Sequence, residues 1–304
     1  MALDFEGKVA VVTGAGSGIG RAIAEGAAAR GMAVVLADLH EDRLSEVAAV
    51  IRASGGRAWP VVTDVSDPTS VTELAGQTAA RAGDVWLLVN NAGVFVSAPF
   101  LEMPRSQWEF VLGVNLWGVV HGLQAFLPGM VARGTGHVVN TASVDGLVTV
   151  ENAASYVASK HAVIGLSETV YRELTSAGSG VGVSVLCPGA VPTAILDAAP
   201  HWPSRLGAPP PPGPAPDDYP ELDEMMTPDR VADVVFEAVA ARQFWVLTHA
   251  SQYGPAMRAR TEGAITGRNP DDESVDPNFR SDRGRKPGSY GDAGDPATGA
   301  PPGR

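Results

Sequence analysis

The amino-acid sequence predicts an α/β fold, a doubly wound sandwich built on a seven-stranded parallel sheet. Short runs rich in β-branched residues recur seven times along the 304-residue chain. They are nearly continuous in apolar residues rather than alternating, the pattern of strands covered on both faces, as in parallel sheets. Helix-like segments separate them, and strict alternation of strand and helix favours crossover connections over hairpins.

Taken in order, "KVAVVT" (8–13) reads as the first strand, and the glycine-rich turn "TGAGSGIG" (13–20) leads into an alanine-rich helix, Arg21–Arg30. "AVVLA" (33–37) is the second strand, followed by a helix over Arg43–Ser54 with Leu44, Val47, Val50 and Ile51 at helical spacing. "AWPVV" (58–62) precedes a helix at Val71–Arg81, and "VWLLVN" (85–90) precedes a long one at Gln107–Arg133. "HVVNTA" (137–142) leads to Tyr156–Thr175, "VGVSVLC" (181–187) to Pro228–Arg242, and "FWVLT" (244–248) closes the sheet. Trp86 and Trp245 read as strand residues facing the core. The spacing shows no internal repeat.

These elements make residues 1–265 one domain. Residues 200–220, "PHWPSRLGAPPPPGPAPDDYP", are too rich in proline for a regular helix or inner strand, and are expected to be a substrate lid or an inert linker. Residues 266–304 carry almost no large apolar side chains and are expected to be a disordered tail.

The formal net charge is −12, and the residues after Ile265 are nearly balanced, with seven acids and six bases, so the acidic excess lies in the domain. An acidic body disfavours nucleic acid and anionic membrane surfaces as partners. The single Cys187 forms no internal disulfide, the N-terminal stretch has acids where a signal peptide needs bases, and no run of about 20 apolar residues is evident, so a soluble cytoplasmic protein is expected. No H-E-x-x-H or multi-cysteine pattern suggests a metal site.

Gly14, Gly18 and Gly20 lie between a strand and a helix. In that context a glycine turn brings backbone N–H groups and the helix N-terminus up to a pyrophosphate. The spacing is G-x-x-x-G-x-G, since Ile19 replaces the last glycine of G-x-G-x-x-G. Asp38, at the end of the second strand, would accept both ribose hydroxyls of an adenosine and repel a 2′-phosphate; Leu39 and His40 follow it where a base would otherwise receive that phosphate. NAD is therefore expected over NADP, with a cap of the next helix as the structural alternative for Asp38. Tyr156 and Lys160 in "SYVASKHAV" fall on one helix face, so a phenol and an ammonium converge. His161 points about 100 degrees away and reads as structural.

The glycine loop, Asp38 and the Tyr156–Lys160 pair together resemble the NAD-preferring, single-domain branch of the short-chain dehydrogenase/reductase family, over roughly residues 5–250. The resemblance implies a Rossmann-type fold with a loop formed by Gly14, Ser17, Gly18, Ile19 and Gly20. Asp64 and Val65 match the adenine contact, and "NNAG", with Asn91, Ala92 and Gly93, matches the stretch lining the cofactor after the fourth strand. "PGAVPT", with Pro188, Gly189, Val191 and Thr193, matches the carboxamide-binding segment. Asn115, Ser143, Tyr156 and Lys160 match the catalytic four, with Tyr156 and Lys160 also touching the cofactor.

The resemblance further implies interconversion of a secondary alcohol and a ketone. Lys160 would acidify the Tyr156 phenol, the phenol would exchange a proton with the substrate, Ser143 would hold the substrate oxygen, and Asn115 would anchor a water relaying protons from Lys160. Phe95, Val96, Leu147, Val148 and Trp202 are candidates for an apolar substrate pocket or for plain core. An NADPH-linked 3-oxoacyl carrier-protein reductase and a non-catalytic dinucleotide sensor are the alternatives; the acidic body and Asp38 argue against the first, the full catalytic set against the second. The family's habit of pairing two long helices implies a homodimer or homotetramer.

Overall fold

The computed structural model describes residues 4–196, 198–210, 225–270, 273–275 and 277. All seven expected strands are present: β1 (Val9–Thr13), β2 (Ala33–Asp38), β3 (Arg57–Val62), β4 (Val85–Asn90), β5 (Gly136–Thr141), β6 (Val181–Cys187) and β7 (Trp245–Leu247). They form one sheet in the order β3-β2-β1-β4-β5-β6-β7, and every pairing is parallel. The chain winds outward from β1 in one direction and from β4 in the other, so the gap between their carboxyl ends is a topological switch point, where open α/β sheets hold ligands.

Helices α1 (Gly18–Ala29), α2 (Glu41–Ala53), α3 (Pro68–Arg81), α4 (Arg105–Leu112), α5 (Gly118–Arg133), α6 (Ala154–Ser176), α7 (Pro228–Ala241) and α8 (Ala250–Thr266) surround the sheet. One face is covered by Ile23 of α1, Leu44 and Val47 of α2, and Val231 and Val235 of α7, packed on Val12, Val34 and Leu36. The other is covered by Leu74 of α3, Leu123, Phe126 and Met130 of α5, and Val163 of α6, packed on Val11, Val35 and Leu88. Successive strand residues serve opposite layers, which is why the runs are apolar throughout.

The long helix expected over Gln107–Arg133 begins at Arg105 and is interrupted by a π-turn at Gly113–Trp117. Contrary to the reading that no run is apolar enough to span a membrane, Arg105–Arg133 meets that test by length and composition, with 44% of its most apolar window buried. Here it serves as a core helix. Gly122 brings α5 so close to β4 that a Cβ would stand 2.1 Å from Asn90 Oδ1.

Trp86 is partly buried against the core and meets Phe5 edge-on. Trp245 departs from the core assignment: it is exposed, because β7 is an edge strand with one neighbour. The α8 helix was not expected; it buries Tyr253 and Ala256 against Val144 and Val148. Residues 211–220 of the proline-rich segment and most of the tail lie outside the described residues. Within the tail, Val275 is described and pairs in parallel with Thr149, so the expectation of disorder does not hold there.

Candidate active site

The loop joining β1 to α1 is set by sterics. Gly14 and Gly18 adopt positive φ, 66° and 51°, which L side chains rarely adopt. A Cβ at Gly20 would lie 2.1 Å from the Gly14 carbonyl oxygen, so the third glycine lets the helix start against its own loop. Thr13 locks this loop to β4: its Oγ1 accepts from the backbone N–H of Asn91 (2.9 Å) and Ala92 (3.1 Å). The Asn91 side chain donates to Thr13 O at 3.1 Å.

Asp38 faces the loop. Its Oδ2 accepts from Gly16 N and its Oδ1 from His40 N, both at 3.1 Å. Helix α2 has His40 at its N-cap position with no side-chain cap, so Asp38 is not that cap. Asp64 folds onto Ser66, accepting from its N–H (2.9 Å) and hydroxyl (2.7 Å), and His121 Nδ1 meets Val65 O at 2.9 Å.

A cleft at the switch point gathers the expected residues. Gly14, Ser17, Gly18, Ile19, Asp38, Asp64, Val65, Asn91, Ala92, Gly93, Tyr156, Lys160, Pro188 and Thr193 line it. Gly20, Asn115, Ser143, Gly189 and Val191 are not among its lining residues, although each adjoins one in sequence or space. Lining residues that escaped the sequence reading include Thr63, Val94, Thr141, Ala142, Ile195 and His201. Thr63 and Thr141–Ala142 adjoin motifs already singled out, and His201 lies in the proline-rich segment expected to be a lid or a linker, beside the pocket candidate Trp202.

At the inner end, Tyr156 and Lys160 are both buried on α6. Lys160 Nζ donates to Thr141 O at 3.0 Å and stands 5.5 Å from the Tyr156 ring centroid. The Ser143 hydroxyl stands near enough to the Tyr156 phenol to lower its pKa, and its Oγ accepts from Asp145 N at 3.1 Å. The expected acidification of the phenol by Lys160 is not what the electrostatics give. Burial pushes the phenol well above its usual value, Asp145 pushes it further, and only the Ser143 hydroxyl pulls it down. Lys160 is itself lowered to about 8 by burial, with the Cys187 and Asp145 charges opposing the shift. For both groups desolvation is the largest cause of the shift, and it disfavours the charged form of each.

Asn115 sits in the π-turn and clamps Val94: Oδ1 accepts from Val94 N (2.8 Å), while Nδ2 donates to Val94 O (2.9 Å) and Ser159 Oγ (3.1 Å). Both amide hydrogens are committed, so the side chain can accept from a water but not donate to one. His161 bonds Val157 O of its own helix at 2.9 Å, in keeping with a structural role.

Around the Tyr156 ring lies an apolar cluster of Val94, Phe95, Val96, Phe110, Ala153 and Trp202. Phe95 meets the tyrosine ring at a centroid distance of 5.0 Å. Of the five pocket candidates, Phe95, Val96 and Trp202 join this cluster, whereas Leu147 and Val148 pack into separate parts of the core. Among the described residues no cluster of His, Cys, Asp or Glu could hold a metal ion.

A switch-point cleft, a glycine loop and a buried tyrosine–lysine pair define a Rossmann-type oxidoreductase. The family described as "short chain dehydrogenase" matches residues 8–204, and the chain belongs to it. It is 32% identical over 282 residues to the "CLA biosynthesis dehydrogenase/reductase" of Lactiplantibacillus plantarum, covering 90% of this chain and 98% of that one. It is 35% identical over 251 residues to the "1-deoxy-11-beta-hydroxypentalenate dehydrogenase" of Streptomyces avermitilis, covering 82% and 87%. Its structure is similar to that of a short chain dehydrogenase/reductase from Burkholderia phymatum in complex with NAD, with a TM-score of 0.83, 42% identity and coverage of 89% and 98%. It is also similar to an alcohol dehydrogenase from Thermococcus sibiricus complexed with 5-hydroxy-NADP, with a TM-score of 0.66, 29% identity and coverage of 79% and 95%.

Proposed function

We propose that the protein is an NAD-dependent oxidoreductase interconverting an apolar secondary alcohol and its ketone, with Tyr156 as general acid/base. The observation carrying this reading is the buried Tyr156–Lys160 pair on one face of α6, Nζ 5.5 Å from the ring centroid, at the inner end of the cleft. The residues fit a dinucleotide: glycines leave room where a Cβ would collide, and Asp38 is presented to the cleft by two backbone N–H groups. Bound oxidised dinucleotide supplies the hydride acceptor and a positive charge that favours the phenolate.

The chain's own residues do the rest. Ser143 orients the substrate oxygen and stabilises charge developing on it. Tyr156 takes the hydroxyl proton during oxidation and returns it during reduction. Lys160, anchored on Thr141 O, holds its ammonium beside the ring. Asn115 fixes Val94, and with it the wall opposite Tyr156. Val191 and Thr193 hold the carboxamide end. The carboxylate of Asp38 selects NAD by repelling a 2′-phosphate.

We also assign Ala199–Leu206 as part of a substrate lid rather than a linker, since Trp202 packs on Phe110 at a centroid distance of 4.9 Å. Helices α5 and α6 are the surfaces on which a homodimer or homotetramer would form; Leu127, Pro128 and Val131 line an apolar groove there. A cytoplasmic location completes the proposal.

A panel of secondary alcohols and ketones, followed by nicotinamide absorbance with both NAD and NADP, tests the reaction. Tyr156→Phe is expected to lower turnover about 1,000-fold while leaving dinucleotide binding in place. Retained turnover would overturn the role of Tyr156, and a strong preference for NADPH would overturn that of Asp38.

A further inference from the structure

The turn after β2 and the Ala199–Leu206 segment meet across the cleft. His40 Nε2 and His201 Nδ1 lie 3.0 Å apart, with ring centroids 4.8 Å apart and planes inclined at 67°. His201 lines the cleft together with Asp38 and Leu39. His40 is bound back to Asp38 through its own backbone N–H, and Asp38 to the glycine loop through Gly16 N. An unbroken series of contacts therefore runs from the loop through Asp38 and His40 to a residue 161 positions further along the chain. The segment has a second anchor in Trp202, set against Phe110, with its indole N–H donating to Gly207 O at 3.1 Å.

We infer that His40 and His201 form a latch that holds this segment across the adenosine end of the cleft and sets how fast the dinucleotide leaves. The inference rests on the dinucleotide reading above. One ring nitrogen donates and the other accepts. A ligand held at Asp38 would lie beside the segment that this pair ties down. The two histidines are thus positioning residues for the cofactor, acting through the segment they tie down. Neither is drawn into the proton transfer at Tyr156.

The test compares wild type with His40→Ala, His201→Ala and the double variant. Stopped-flow fluorescence reads NADH and NADPH release, and tryptic cleavage after the exposed Arg205, without dinucleotide, reads opening of the segment directly. Release is expected to accelerate about fivefold in each single variant, the worth of one hydrogen bond, and no further in the double. Cleavage at Arg205 is expected to accelerate in the same pattern, and His201→Gln, which keeps a hydrogen-bonding group, to recover part of both. Unchanged release and cleavage in the single variants, or additive effects in the double, would overturn the latch. If wild type binds neither nucleotide, the dinucleotide reading fails, and the cleavage arm still decides the latch.

Discussion

The two ends of the cleft are built on different terms. The dinucleotide end is made of backbone: glycines at positive φ, N–H groups turned inward by Thr13, and a carboxylate held by Gly16 and His40. The substrate end is made of side chains, with Phe95 edge to face on the Tyr156 ring, Phe110 tilted against Trp202, and single-turn helices flanking Trp202. Backbone geometry tolerates few residue types and so leaves a fixed imprint, whereas an apolar wall can be assembled from many combinations of similar volume. One end defines a cofactor class sharply; the other defines only a polarity.

Substitutions can break or sharpen this contrast. The largest effect is expected at Gly20→Ala, where the new methyl meets a carbonyl that cannot yield. We expect about 3 kcal/mol of lost stability and a collapse of dinucleotide affinity, read by thermal melting and titration. A variant that kept wild-type affinity would show the backbone to be more pliant than the contrast requires.

Next is His137 in the sheet beneath both ends. Its ring is buried against Ser184 Oγ at 2.8 Å, and burial lowers its pKa to about 3, with Arg242 adding to the shift. The folded chain keeps this ring neutral while the unfolded chain takes a proton near its ordinary value of about 6.5. The unfolded state therefore binds more protons between those values, and stability present above pH 6.5 is lost as pH falls towards 3. Denaturant melts should show about 3 kcal/mol lost by about pH 4.5 through this group, and His137→Gln should flatten that slope.

Smaller is Trp202→Ala, expected to raise KM for an apolar substrate about tenfold and that for dinucleotide by less, through the segment Trp202 helps to anchor. Equal losses for both ligands would dissolve the division between the ends. The smallest is Gly76→Ala on the exposed face of α3, where nothing lies within 4 Å of the added methyl. It should raise stability by about 0.8 kcal/mol, the helix propensity difference alone.

The same contrast governs what the sequence revealed. The sheet was legible because buried parallel strands must be apolar on both faces, and the glycine loop because its spacing is steric. Helix α8 was not legible: Gly254, Pro255 and Gly263 interrupt it, and only Tyr253, Ala256 and Gly263 are buried. The exposure of Trp245 depends on strand order, which composition does not carry. The Tyr156–Lys160 spacing was plain, yet the balance between attraction and desolvation was not, since burial is a property of everything packed around the pair. The His40–His201 contact joins two turns far apart in the chain, and neither turn alone signals the other.

At Gly122 the helix α5 all but touches the sheet, and Asn90, on which it rests, is followed directly by Asn91 in the wall of the cleft. The opposite side of the same helix presents Leu127, Pro128 and Val131 outward. Anything seated on that outer side is separated from the ligand by little more than one helix width, about 10 Å. Were a second copy to seat there, it and the ligand would bear on one helix, and any effect of the first on the affinity of the second would be returned in equal measure.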